Sequence, residues 1–346
     1  MKNRACYMTD LKQMAMKEIG MPVAQAGEVI VKLEVVGICG SDVHYLEHGR
    51  IGDFVVDGDF ILGHECAGEV VELGPGVKHL KVGDRVALEP GVTCGQCEFC
   101  KSGKYNLCPD VQFLATPPYH GCLMDYMAFP ENMAFKLPDN VSSEEGALVE
   151  PLAVGLHAAA QGGVKLGDRV VILGAGCIGL VTLLACKAYG ATEIVVVDII
   201  EKRLEAAMKL GATRVINARR EDVLEVIAAW TGGAGVDKVI ETAGSEHTVK
   251  QTPYLVKRGG TIVLVGLAAK DIIDFDFMQI MFKEADIKSV FRYRNLYPAA
   301  IGAIADGKID VKGIVTHEFN FAETQQAFDY VIDNKEDVVK AVIRMG

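Results

Sequence analysis

The run Arg169-Val170-Val171-Ile172-Leu173-Gly174-Ala175-Gly176-Cys177-Ile178-Gly179, followed by Ile194-Val195-Val196-Val197-Asp198, decides the fold. A short apolar strand leads straight into G-x-G-x-x-G, an apolar helix follows, and a second apolar strand ends on an acid. Alone, the glycine pattern is weak; in this context each part has a task. Gly174 makes the tight turn, Gly176 lets the backbone approach a pyrophosphate, and Gly179 brings helix and strand together. The helix start near Ile178 offers amides and partial positive charge to phosphates. Asp198 can accept hydrogen bonds from both adenosine ribose hydroxyls and would repel a 2′-phosphate, so the expected coenzyme is NAD. Arg203, one helical turn further on, reads either as an adenine-stacking residue or as a plain surface arginine.

Outward from this run, residues 154–290 alternate strands and helices. Expected strands are 170–173, 194–197, 214–216, 238–240, 261–265 and 287–290, with helices such as 178–189 and 202–210 between them. That alternation marks a doubly wound parallel sheet. Upstream, from about residue 25 to 150, short β-rich runs such as 28–36, 67–73 and 85–88 are broken by Gly and Pro, as in Gly74-Pro75-Gly76. Irregular spacing of this kind points to a β-barrel-like domain. The tail, with helical stretches near 298–306 and 322–333 and a strand near 341–345, is expected to return and complete the first domain.

The chain has 346 residues, enough for two domains with cores of their own. Its net charge of -11 disfavours nucleic acid and anionic membrane surfaces as partners. No signal-peptide core follows the charged N-terminus. The longest uncharged run, 170–186, carries three glycines near its start and reads as buried strand, turn and helix rather than a membrane span. Ten cysteines without a secretory signal imply a reducing compartment, the cytoplasm by default, where metal ligation outranks disulfides.

Cys94, Cys97, Cys100 and Cys108 form C-x2-C-x2-C-x7-C, in a lobe spanning 91–110. Four thiolates this close can complete a tetrahedral shell around one structural zinc, leaving no position open for substrate. A CxxC redox pair needs only two of them, and an iron–sulfur cluster would usually serve electron transfer. A second candidate set is dispersed: Cys39, Ser41 and His44 in one segment, His64 and Glu65 in another, and Glu150 beside Pro151.

Gly63-His64-Glu65-Cys66-Ala67-Gly68, continuing to Gly74 and Val77, resembles the zinc signature of the medium-chain alcohol dehydrogenase family. The Cys39 segment, the four-cysteine lobe and the glycine fingerprint follow the family's order, so the resemblance covers nearly the whole chain. Within the family it looks most like the sorbitol/xylitol branch, on Ser41-Asp42-Val43-His44-Tyr45, Tyr105-Asn106-Leu107, Ala115-Thr116-Pro117-Pro118, Glu150-Pro151-Leu152 and Phe291-Arg292-Tyr293. The resemblance implies an α/β protein with a GroES-like β-barrel catalytic domain (1–153 with 291–346) and a Rossmann coenzyme domain (154–290). A catalytic zinc would sit in the cleft between them. It also implies two Zn2+ per chain, NAD, a polyol or ketose substrate, and a homotetramer.

Cys39 and His64 match two catalytic ligands. For the third, Glu65, Glu150 or each in turn are open, because many alcohol dehydrogenases place a cysteine where this chain has Glu150; in the polyol branch Glu65 resembles a direct ligand and Glu150 a catalytic partner reaching zinc or its water. Ser41 resembles the first hydroxyl of a proton relay and His44 its outer imidazole; otherwise they are a turn serine and a solvated histidine. Tyr45, Arg292 and Tyr293 are the implied substrate contacts, with Phe113 and Thr116 shaping the pocket. Rival readings are a butanediol, threonine or simple alcohol dehydrogenase of the same family, or a catalytically silent dinucleotide-binding protein.

Overall fold

In the computed structural model, which describes residues 2–268, 270 and 272–346, the chain divides into two compact units. One comprises 1–150, 297–307 and 315–346; the other comprises 151–296 and 308–314.

The second unit is built on a six-stranded sheet, parallel throughout. Its order is Arg214–Asn217, Glu193–Asp198, Arg169–Leu173, Val236–Glu241, Val256–Leu264 and Asp286–Ser289. This is the doubly wound order in which the chain reverses direction beside the first strand, where dinucleotides bind outside the carboxyl ends. The central strands are continuous Val/Ile/Leu runs because both faces are covered; Val170, Val171, Ile172 and Leu173 are wholly buried. Helix Cys177–Tyr189 is apolar nearly all round for the same reason. Helix Val223–Thr231 is more amphipathic, burying Val223, Ile227 and Thr231 at four-residue spacing. The fifth strand begins at Val256, five residues ahead of the expected start, because Lys257-Arg258-Gly259-Gly260 lacks the apolar character by which strands are read.

His157, on helix Val149–Gly162, is buried in this unit. Burial pushes its imidazole down to about 4, and the Arg294 charge acts in the same direction. An unfolded histidine takes up its proton near 6.5, so between there and about 4 the unfolded state binds more protons. Stability from this group is therefore complete above pH 6.5 and falls as the solution is acidified. Denaturant titrations over pH 7 to 4.5 should show an acid-side slope of up to about one proton, flattened in His157→Gln. An identical slope in the variant would remove His157 as the cause.

The first unit is organised around strand Glu28–Ile38. It pairs antiparallel with Glu65–Leu73, with Tyr126–Pro130 and with the C-terminal strand Lys340–Arg344. The C-terminal strand thus joins strands from the N-terminal part of the chain, and Val29, Val31, Leu33 and Val36 lie in the core beside Ala341 and Ile343. Two differences from the sequence reading stand out. Strands Asn3–Asp10 and Gln13–Ile19 extend the β-structure to the N-terminus; their buried residues, Ala5, Cys6 and Met8, lack a β-branched alternation. The tail does not all belong here either. Residues 291–296 and 308–314 join the other unit, where Val311 and Ile314 are buried and Gly313 packs on Leu210. No helix among the described residues is long and apolar enough to cross a membrane.

Candidate metal centres and dinucleotide site

Cys39 follows directly on strand Glu28–Ile38 and caps helix Gly40–His48. His64 precedes strand Glu65–Leu73, whose register sets Glu65 opposite Gly37. The pairing of these two strands therefore carries Cys39, His64 and Glu65 to one place, with ligand atoms within 4.8 Å of one another. Sulfur, imidazole and carboxylate form a donor set that suits zinc, and three protein ligands leave a coordination position open.

Asp42, absent from the ligands expected from sequence, organises this group. Its carboxylate is wholly buried and accepts hydrogen bonds from Gly63 N at 3.0 Å and Cys39 N at 3.1 Å. Oδ1 also lies 3.4 Å from His64 Nδ1, an ion-pair distance. Such a carboxylate behind a metal-binding histidine fixes ring orientation and raises ligand basicity. Burial alone would depress the His64 pKa, but Asp42 and Cys39 outweigh it and hold the ring well above the usual imidazole value. Burial likewise opposes ionisation of Asp42, and His64 with the two backbone amides reverses that. Lys340 is the other residue that sequence reading missed: it forms a buried ion pair with Glu65.

Ser41 and His44 lie three residues apart on helix Gly40–His48, Ser41 half-buried and His44 exposed beside the ring of His48. Tyr45, on the same helix, is buried in the barrel core near Phe60. The Phe113 ring lies 5.8 Å from that of His64. Glu150 is buried in the first turn of helix Val149–Gly162 and is not among the three groups that converge within 4.8 Å. Arg292 and Tyr293 belong to the other unit, Arg292 with positive φ and its guanidinium over Phe291, Tyr293 buried.

The four cysteines of the lobe form a second convergent group within 4.8 Å. Cys94 Sγ lies 3.5 Å from Cys108 Sγ and 4.0 Å from Cys100 Sγ. Four sulfurs at about 2.3 Å from one zinc stand about 3.8 Å apart, so these separations match a tetrahedral shell. All four are free thiols. The backbone amides of Gln96 and Cys97 point at Cys94 Sγ and lower its pKa to about 7, whereas burial pushes the Cys108 thiol up to about 11 and Cys97 is raised as well, so one thiolate is favoured in the cluster without a metal.

In the other unit the fingerprint glycines have distinct surroundings. Gly174 adopts φ +106, and Gly179 lies so close to it that a Cβ would fall 1.9 Å from Gly174 O. At Gly176 a Cβ would meet only an Arg203 nitrogen at 3.9 Å, so this backbone is open to approach. Gly176 is also the N-cap of helix Cys177–Tyr189 and supplies no side-chain cap, and the start of a helix favours an anionic group. Asp198 ends its strand as expected. It accepts from Ala175 N at 2.7 Å, Ile199 N at 2.7 Å and Ile200 N at 2.9 Å, tying the glycine loop to the following turn.

A GroES-like barrel with a convergent cysteine–histidine–carboxylate group, in one chain with a Rossmann unit, defines a two-domain metal-dependent dehydrogenase. Residues 25–139 match the alcohol dehydrogenase GroES-like domain family, and residues 177–306 the zinc-binding dehydrogenase family. The chain belongs to the zinc-type alcohol dehydrogenases. It is 51% identical to the uncharacterized zinc-type alcohol dehydrogenase-like protein YdjJ of Escherichia coli K12, over 100% of both chains. It is 45% identical to the sorbitol dehydrogenase of Bacillus subtilis, over 98% of this chain and 96% of that one. A crystal structure of an Escherichia coli oxidoreductase/dehydrogenase of unknown specificity superposes with a TM-score of 0.97 at 50% identity, covering both chains fully. A zinc-binding dehydrogenase structure from Sinorhizobium meliloti, with a TM-score of 0.91 and 30% identity, holds NADP and covers 99% of both chains. An alcohol dehydrogenase structure from Escherichia coli CFT073, with a TM-score of 0.92 and 28% identity, holds NADH over the same share.

Proposed function

We propose that the protein oxidises a sugar alcohol of the sorbitol or xylitol kind to the ketose, passing a hydride to NAD. The observation that carries this reading is the convergent Cys39–His64–Glu65 group, on a chain 45% identical to a sorbitol dehydrogenase over 98% of its length. Cys39, His64 and Glu65 would hold a zinc, which would supply Lewis acidity toward a substrate hydroxyl, and a bound nicotinamide would supply the hydride acceptor. Asp42 keeps His64 oriented. Ser41 and His44, one half-buried and one exposed on the same helix, give a proton a route toward solvent. Tyr45, Arg292 and Tyr293 are assigned to the neighbouring hydroxyls of the polyol, which need polar partners when enclosed. Cys94, Cys97, Cys100 and Cys108 hold a second, structural zinc.

The test pairs metal content with NAD reduction on sorbitol, xylitol and ethanol. About two zincs per chain with polyol-dependent NADH is the expected result. Strong turnover of ethanol without sorbitol or xylitol overturns the polyol assignment. One zinc and no turnover favours a silent dinucleotide-binding protein.

The preference for NAD is assigned to Asp198. Asp198→Ala removes the repulsion toward a 2′-phosphate, and also three backbone hydrogen bonds to the glycine loop and the turn. Both coenzymes should therefore bind less well, and the NAD/NADP ratio of kcat/KM should fall by about tenfold or more, a difference of about 1.4 kcal/mol. Equal losses for the two coenzymes would show that Asp198 does not select between them.

A further inference from the structure

Lys340 is the only lysine or arginine among the buried described residues, 3% exposed against 1% for its partner Glu65. The register that sets Ala341 opposite Ile38 brings Lys340 beside the end of strand Glu28–Ile38, one residue before Cys39. An ammonium has three donors. Lys340 Nζ directs them to Glu65 Oε2 at 2.7 Å, Glu65 Oε1 at 2.8 Å and the Ile38 carbonyl at 3.0 Å. Both carboxylate oxygens are therefore engaged by one cation. The other flank is equally restricted: a Cβ on Gly37 would fall 2.1 Å from Glu65 Oε2, so the carboxylate lies in space that only glycine leaves. Two elements far apart in sequence thus fix one side chain beside Cys39 and His64.

The geometry points to Lys340 as a positioning residue of the metal centre, which acts through Glu65 by limiting the negative charge offered to a bound cation. This inference rests on Cys39 and His64 being metal ligands, as in the proposed function. With Lys340 in place, the Cys39 thiolate, the Glu65 carboxylate and the ammonium present a net single negative charge; without it they present two. A buried carboxylate stripped of its counter-ion draws a metal more strongly, since the metal then supplies the only compensation. Lys340 therefore keeps Glu65 from binding the metal at full strength and leaves the metal the stronger Lewis acid.

The test uses Co(II) as the probe, with the full chain and Cys39→Ala as the blank that subtracts the four-cysteine lobe. Affinity is read by chelator competition and ligand geometry by the visible spectrum of the bound cobalt. Lys340→Met should tighten Co(II) at this site by about tenfold or more and shift its ligand-field bands. Lys340→Arg, which keeps the charge, should return both toward wild type. Lys340→Met/Glu65→Gln leaves no charge unpaired and, lacking the freed carboxylate, should hold Co(II) no more tightly than wild type. It decides the matter should the single methionine variant not fold. A wild-type affinity and spectrum in folded Lys340→Met overturns the inference. So does a tightening of Co(II) in the double variant, which would mean that Lys340 does not act through Glu65. Absence of Co(II) binding at Cys39 and His64 in the wild type would sink the metal centre itself, and the proposed function with it. Metal binding without polyol turnover touches only the substrate assignment.

Discussion

The Cys39→Ala protein should lose NAD-linked turnover by about a thousandfold or more, because metal ion catalysis contributes several kcal/mol and each 1.36 kcal/mol is tenfold in rate. It should keep the zinc of the four-cysteine lobe. Cys39 is the one thiolate of the Cys39–His64–Glu65 group, and it sits where strand Glu28–Ile38 passes into helix Gly40–His48. Alanine there removes the sulfur and its half of the capping box, and leaves the bond from Cys39 N to the Asp42 carboxylate to hold the helix start. The two remaining groups, an imidazole and a carboxylate already paired with Lys340, hold a metal far less well. Metal analysis should then fall by about one ion per chain while thermal unfolding changes little, since the site's burial comes mainly from strand pairing. Full activity in Cys39→Ala would refute the catalytic centre. Loss of both metals would show that the two groups are not independent.

What the sequence disclosed followed from how locally each feature is written. The fingerprint 174–179 and the four cysteines each lie within a short run, and their spacing carries the chemistry. Gly174, Gly176 and Gly179 are found with three different surroundings that match three different tasks. Asp42 lies in the segment Ser41-Asp42-Val43-His44-Tyr45, yet nothing local distinguishes a carboxylate that turns back on Cys39 N and Gly63 N from one that faces water. Its position three residues after a candidate ligand is the signal that could have found it. Lys340 is harder still. Lysine at the start of an apolar strand ordinarily caps an exposed edge, and its partner is 275 residues away. Only the register between the C-terminal strand and Glu28–Ile38 makes it buried. The same limit explains 308–314, whose attachment to the Rossmann unit depends on packing near Leu210 and not on any pattern of its own.

Cys97→Ser should cost the chain about one zinc and loosen the lobe while leaving the metal at Cys39 and His64 in place. The lobe has almost no core to fall back on: between Cys94 and Asp110 only Asn106 and Cys108 are buried. Its regular structure is one short helix, Glu98–Lys101, and one 3-10 turn, Tyr105–Leu107. A segment so poor in buried apolar surface cannot offset its ordering entropy by packing, and metal closure is the remaining source of order. Cys97 serves it twice. Its sulfur is one of the four that converge, and it also accepts from Cys100 N at 3.5 Å as the N-cap of the short helix. Serine preserves the cap, since a hydroxyl accepts the same bond, and removes the thiolate. Any loosening in Cys97→Ser is therefore attributable to metal loss and not to a lost cap. Limited proteolysis should cut the variant first within 94–110, at a rate raised by about tenfold, and added zinc should not protect it as it protects wild type. An unchanged metal count in Cys97→Ser would show that these four sulfurs do not share an ion, despite separations that suit one.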